Sequence, residues 1–298
     1  MPNHPFPKPR RDSPRGTLWQ ALGLGLMAGS LPIWIVFFAL FGPQGHDYFL
    51  PVLLLGLPGV ALGRYCYQQG KKYKVPSAVE LLRADGRPPV LYLRSFVDDA
   101  AAAANPVWKA FISMEAWTTS MTGEEEQVAE VMNEIGPFVA IGKPGSKLPD
   151  LGAARMYVGD SEWQSTVLDL TQRCRLVVFR LGNTPGFWWE IQNVVGMIPP
   201  EKIVFLLPYG KARYEAFRRE SEKYLPKPLP DFPVSNLADV VDRITAGSDG
   251  LGTLKALLYF DPDWTPHLQL LSGLSTVTRR GKKVVAHLKT AMKPVVGR

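Results

Sequence analysis

Leu176-Val-Val-Phe-Arg-Leu-Gly-Asn-Thr-Pro-Gly-Phe-Trp-Trp-Glu-Ile191 is the stretch on which the fold turns. Leu176–Phe179 is a short apolar, β-branched run of the kind that forms a buried strand. Gly182, Asn183 and Pro185 are turn residues and end it. Pro185-Gly186 then sets the start of a helix over Gly186–Val195. A strand that runs through a tight loop into a helix is half of a βαβ unit, and such units predict a parallel sheet.

The same alternation extends both ways. Upstream, Ser161-Glu-Trp-Gln164 fits a capping box opening a helix to about Arg173. Phe138–Ile141 reads as a strand, followed by Gly142-Lys-Pro-Gly145. Thr122-Gly-Glu-Glu125 fits another capping box, with a helix to about Ile135, and Val90–Leu93 reads as the first strand. Downstream come a strand at Ile203–Leu207, a charged helix at Ala212–Tyr224, a helix at Leu237–Ile244 and a last strand at Leu254–Phe260. The expectation is an α/β fold, a flavodoxin-like parallel sheet in the order 2-1-3-4-5. Its topological switch point lies between the first and third strands, so the loops after Leu93 and Phe179 carry any ligand site.

Ahead of this domain the sequence predicts a two-helix transmembrane hairpin. Leu18–Phe41 is 24 residues without a charge, long enough for a hydrocarbon core of ~30 Å. Tyr48–Gly63 is a second uncharged run, of 16 residues. Arg64 can snorkel beyond it, with Tyr65 and Tyr67 as anchors. A cleavable signal peptide is the rival for the first run, but that run is longer than a normal apolar signal region and no Ala-x-Ala site follows. Both outer flanks are basic and the turn Gly42–Asp47 has no Lys or Arg. The positive-inside rule then puts both termini in the cytoplasm of a multi-pass protein of the cell membrane. Gly25-x-x-x-Gly29 and Gly59-x-x-x-Gly63 would let helix backbones approach closely, within the hairpin or between copies. The chain thus divides into a basic N-terminus (1–17), the hairpin (18–65, with spans 18–41 and 48–65), a linker (66–88), the α/β domain (89–262) and a basic C-terminal segment (263–298).

The net charge of +7 is unevenly spread. Residues 1–80 hold eight Lys/Arg against three acids, and residues 279–298 hold seven Lys/Arg and no acid, so 81–278 carry −5. The domain itself is acidic, which argues against a nucleic-acid partner. The segment Val277–Met292 could be a basic amphipathic helix on an anionic membrane or a solvated tail. Two cysteines, Cys66 and Cys174, do not form a metal or disulfide pattern. The four histidines fall outside the predicted sheet core, which removes most Ser-His-Asp, Cys-His and zinc arrangements. No Walker A motif and no G-x-G-x-x-G after a strand is present. No metal and no cofactor is expected.

Three segments resemble bacterial TIR (Toll/interleukin receptor) domains. Val90-Leu-Tyr-Leu-Arg-Ser-Phe-Val-Asp-Asp99 is similar to the family's first strand and its Ser-containing loop. Ile141-Gly-Lys-Pro-Gly-Ser-Lys-Leu148 resembles the Pro-Gly loop after its second strand. Leu176–Phe179 followed by Trp188-Trp-Glu-Ile191 resembles its third strand and Trp/Glu helix. The chain departs from the pattern in having Gly186 four residues before Glu190, where a Trp usually stands, and an apparent insertion at Ala100–Ser120. Thr184–Ile191 is also similar to the Gly-x-x-x-Glu-[Leu/Ile] segment of nucleoside 2-deoxyribosyltransferases.

Both resemblances imply attack at an N-glycosidic carbon, with NAD or a related nucleotide as substrate and Glu190 as the catalytic carboxylate. Nicotinamide leaves as a neutral base, so one carboxylate suffices. A neutral nucleoside would need Asp98 or Asp99 as an acid. Arg94 could bind a phosphate or sit in a surface ion pair. Ser95 could touch ribose or cap a turn, and Lys143 lies in the Pro-Gly loop. Trp188 and Trp189 could stack on a ring or belong to the core; Trp189 is taken as the substrate-binding one. Tyr157, Asp160 and Trp163 read as cap and core. Glu190 is expected in the first turn of its helix, where the dipole stabilises a carboxylate. The resemblance equally allows a non-catalytic module that self-assembles through the TIR-like domain at the bilayer, a deoxyribosyltransferase-like enzyme, or a degenerate domain with another ligand.

Overall fold

The computed structural model describes residues 13–41, 46–94, 124–142, 151–159, 161–208, 211–233, 254–271 and 281–297. The chain opens with two helices, α1 (Pro14–Phe41) and α2 (His46–Lys72). Pro14 suits the first helical position, and Ser13 caps the start by accepting from the Gly16 amide at 3.2 Å.

The two helices pack antiparallel through glycines. Gly16 meets Gly70, Gly23 meets Gly63, and Gly59 meets Ser30. A Cβ on Gly63 would stand 2.7 Å from the Gly23 carbonyl oxygen, so only glycine permits this approach. The Gly59/Gly63 pair therefore serves contact within the hairpin, whereas no described atom comes within 4 Å of a Cβ built on Gly25 or Gly29. Among the described residues, no helix is long and apolar enough to cross a membrane. The expected spans 18–41 and 48–65 thus form a helical pair without structural support as membrane spans. The segment expected as a linker, 66–88, is partly helical. α2 runs on to Lys72, and α3 (Ala78–Ala84) follows behind a complete Ser77/Glu80 capping box. Ala78 and Leu81 of α3 enter the domain core.

A seven-stranded sheet organises the rest, in the order β3-β2-β1-β4-β5-β6-β7. Its strands are β1 (Val90–Leu93), β2 (Phe138–Gly142), β3 (Ala154–Tyr157), β4 (Leu176–Arg180), β5 (Ile203–Leu207), β6 (Ala256–Phe260) and β7 (Pro266–Leu270). β1 to β5 are parallel, with Leu91 beside Val139 on one side and Val177 on the other. The expected 2-1-3-4 order is present in β2-β1-β4-β5 and is compatible with a flavodoxin-like sheet. The fifth expected strand does follow, as β6, but antiparallel. It and β7 close a hairpin on that edge, a short return that needs no crossover helix. β3 carries little apolar alternation because Arg155 interrupts it, whereas β7 alternates over only five residues, Pro266-His-Leu-Gln-Leu270.

Period-two alternation sends successive strand residues to opposite faces. Leu91, Leu93, Val177 and Phe179 face one layer, built by α3, α5 (Trp163–Arg173), α6 (Pro185–Val195) and α7 (Lys211–Ser221). Val90, Tyr92, Val178 and Val204 face the other, built by α4 (Glu124–Ile135) and α8 (Gly281–Val296). The C-terminal segment is thereby corrected as well. Leu288, Ala291 and Met292 are buried in this second layer, and Lys289 pairs with Glu134 of α4 at 2.6 Å. α8 is part of the domain, neither a solvated tail nor a helix with its apolar face free for lipid. The domain boundary expected at 262 therefore does not mark a break in packing. The Ser161/Gln164 capping box does not form: α5 starts at Trp163, and Glu162 makes no side-chain cap. Thr122 and the helix expected at 237–244 lie outside the described residues.

Candidate functional site

β1 and β4 are neighbours whose connections leave in opposite directions, to β2 and to β5. Their carboxyl ends form the switch point. Arg94 follows β1 there. Its Nη1 donates to Glu125 Oε2 at 2.5 Å, and Arg155 Nη2 of β3 donates to Glu125 Oε1 at 3.2 Å. Glu125 stands in the first turn of α4, where the helix dipole favours a carboxylate. Arg94 is thus in an ion pair, and with 11% of its side chain exposed it is not a surface one. Arg155 was not anticipated, although an Arg inside the small apolar run Ala153–Tyr157 is the signal that could have found it. Gly152 completes the arrangement with φ +129°, and a Cβ there would meet the Glu125 side chain.

Ser95, Asp98, Asp99, Lys143 and Asp160 lie outside the described residues. Among the described residues, no group of His, Cys, Asp or Glu is placed to hold a metal ion. His267 lies on the edge strand β7, its Nε2 2.5 Å from Asp261 Oδ2. Cys174 is buried, which pushes its thiol up to about 11 and makes it inert at neutral pH.

α6 positions Glu190. Thr184 caps the helix by accepting from the Phe187 amide at 3.3 Å, and Pro185 is its first residue. Glu190 is therefore the sixth residue, in the second turn and not the first. The helix dipole does not hold it as a carboxylate; burial acts the other way. Glu190 is 8% exposed, its Oε2 is buried without a hydrogen-bond partner among the described residues, and burial pushes the carboxyl from the usual 4.5 up to about 8.

Helical geometry gives its direction. Each residue turns about 100°, so Trp188 and Glu190 stand on nearly opposite sides of α6. Trp188 stacks on Phe217 of α7 at 5.6 Å and on Tyr224 at 5.4 Å, and donates from Nε1 to Asn183 Oδ1 at 3.1 Å. It belongs to the core on that side. Trp189 meets Trp163 of α5 edge-on at 4.9 Å, so the α5 side of the helix is the other one. Glu190 lies on the α5 side of the helix: Gly186, one turn before it on the same face, has the Trp163 ring 4.0 Å from where a Cβ would stand. A buried carboxyl with two neighbouring indoles can hold a hydrogen-bond donor or a flat cation.

Comparison with family models, with characterised proteins and with solved structures gave no match for this chain. Fold and site define an α/β domain with a mostly parallel seven-stranded sheet and a buried acid in the helix that follows β4.

Proposed function

We propose that this is a membrane-anchored, TIR-like protein whose α/β domain cleaves the N-glycosidic bond of NAD or a related nucleotide, with Glu190 as the carboxyl group at the reacting carbon. The observation that carries the reading is Glu190 itself, a nine-tenths buried acid on the helix that follows β4, whose Oε2 has no hydrogen-bond partner among the described residues. Buried polar atoms are nearly always hydrogen-bonded, and leaving one unmade costs ~1–3 kcal/mol. A buried acid left unpartnered in this way is a candidate for a ligand contact. Trp189 and Trp163 supply flat surfaces next to it. Loss of nicotinamide leaves positive charge on the sugar C1′, and one carboxylate stabilises or traps it. Arg94 and Arg155, already engaged with Glu125, shape the wall and are not assigned to phosphate.

The anchor is part of the same reading. Leu18, Leu22 and Leu24 on α1 and Leu62 on α2 are among the most exposed large apolar side chains of the described chain. Exposed apolar surface of this kind needs cover, and a bilayer supplies it. Basic flanks on both sides then hold the domain in the cytoplasm.

The test is to incubate the full chain in lipid vesicles with NAD and measure nicotinamide. Wild type should release it, and Glu190→Gln should lose ~10²–10³ in rate while folding normally. Equal activity of the Gln variant would remove Glu190 from the role. A folded, self-associating wild type that releases no base would favour the interaction module.

A further inference from the structure

We propose that a cationic ligand entering this site displaces a proton from Glu190, so that binding and proton release are one event. This rests on the reading of Glu190 as the ligand-facing acid and concerns how the empty site is stored.

Geometry alone fixes the empty state. A carboxylate with one oxygen buried and unpartnered would carry its charge with no described residue placed to offset it. The carboxylic acid avoids that cost. Among the described residues, neighbouring charges do not rescue the anion. Arg94 at the end of β1 is engaged with Glu125, and Asp169 and Arg173 of α5 pair with each other on that helix's exposed side. Glu162 of α5 is exposed, and Arg180 ends β4. Among the described residues, burial is the one cause that moves the Glu190 carboxyl, to about 8. The empty site is therefore neutral at pH 7.

A pyridinium ring changes the balance. An opposite charge within ~4–6 Å favours the ionised form of an acid. The O–H bond of Glu190 breaks, the proton goes to solvent or buffer, and the carboxylate remains paired with the ring cation. Net charge in the crevice stays at zero. A neutral ring offers no such exchange and leaves the proton in place. Linkage then makes the affinity for the cation rise tenfold per pH unit below about 8 and level off above it. A site of this kind discriminates a cationic ring from its neutral counterpart and weakens when the surroundings acidify.

The probe is 1-methylnicotinamide, a pyridinium with no glycosidic bond, so that no cleavage can release a proton. Nicotinamide is the neutral control. The full chain in vesicles is titrated by calorimetry at pH 7 in two buffers of different ionisation enthalpy, with indole fluorescence as a second readout. The expected result is close to one proton released with the cation and none with nicotinamide. Affinity for the cation should fall about tenfold from pH 7 to pH 6. In Glu190→Gln the proton release and the pH dependence should both vanish. Binding of the cation with no proton released overturns the inference and leaves the site standing. No binding of either ring overturns both.

Discussion

Lys71, at the end of α2, pairs with Glu126 of α4 at 2.5 Å, one residue from the Glu125 that holds Arg94 and Arg155. The helical pair is thus joined to the helix that opens at the carboxyl edge of the sheet. The two glutamates do different work. Arg155 is 3% exposed, and Glu125 is its partner in the interior. Removing Glu125 leaves Arg155 as a desolvated charge and costs ~3–5 kcal/mol, whereas Lys71 keeps 18% of its side-chain surface exposed and is stranded at lower cost when Glu126 is removed. Glu125→Ala should therefore lower the denaturation midpoint more than Glu126→Ala. Equal losses would show that the Arg94–Glu125–Arg155 cluster is as solvated as the Lys71 contact.

The helical pair makes its own prediction. Gly63→Val places side-chain atoms against the Gly23 carbonyl and the Met27 backbone, which cannot move aside cheaply. Overpacking of this kind costs ~1–3 kcal/mol. Gly25→Ala meets open space and gains helix propensity, ~0.5–1 kcal/mol. Thermal unfolding of the two variants should move in opposite directions. A destabilised Gly25→Ala would mean that a second copy or another partner packs there.

The C-terminal helix should behave as core. Leu288 is 2% exposed against the second helical layer, so Leu288→Ala should cost ~2–5 kcal/mol. Lys289→Ala removes a half-exposed pair with Glu134 and should cost under ~1 kcal/mol. Denaturant titration checks both. A neutral Leu288→Ala would return α8 to the status of a tail.

Strands β1, β2, β4 and β5 were legible because each is a short apolar run closed by turn residues, the pattern of a strand buried on both faces. β3 was not, since Arg155 interrupts it and its burial depends on Glu125, a partner thirty residues away in sequence. β6 was found but its direction was not, because strand direction depends on the return path and not on the strand's own residues. The C-terminal helix showed its apolar face in the sequence. What that face meets is tertiary information, and α4 beneath it decided the matter. Glu190 was legible as a residue and misread as a state. Pro185 starts α6 one residue earlier than expected, and Glu190 is buried in its second turn, where the dipole no longer dominates.

Topology tests the anchor. Reporter fusions at residue 5 and after residue 75 should both read as cytoplasmic, and one within 42–47 as external. Alkaline extraction should leave the full chain with the membrane. A cytoplasmic reading at all three sites would turn the helical pair into a soluble stalk and leave its exposed leucines to another partner.

Glu190 makes stability depend on pH in a defined direction. Its carboxyl ionises near 4.5 in the unfolded chain and at about 8 in the folded one. Between those values the folded state holds the proton and the unfolded state does not. Stability from this group is therefore present in full below about pH 4.5, falls as pH rises through the window, and is flat above about 8. The slope is at most ~1.4 kcal/mol per pH unit. Glu190→Gln keeps the shape and carries no titration. The difference between the Gln variant and wild type cancels the other titrating groups, which both proteins share. It should be small at pH 5 and should grow in favour of the variant up to pH 8, by several kcal/mol. Denaturant midpoints of the two proteins at pH 5, 6.5 and 8 measure it. A gap that stays constant across these values would mean that Glu190 is charged and paired throughout, and the neutral empty site would be wrong.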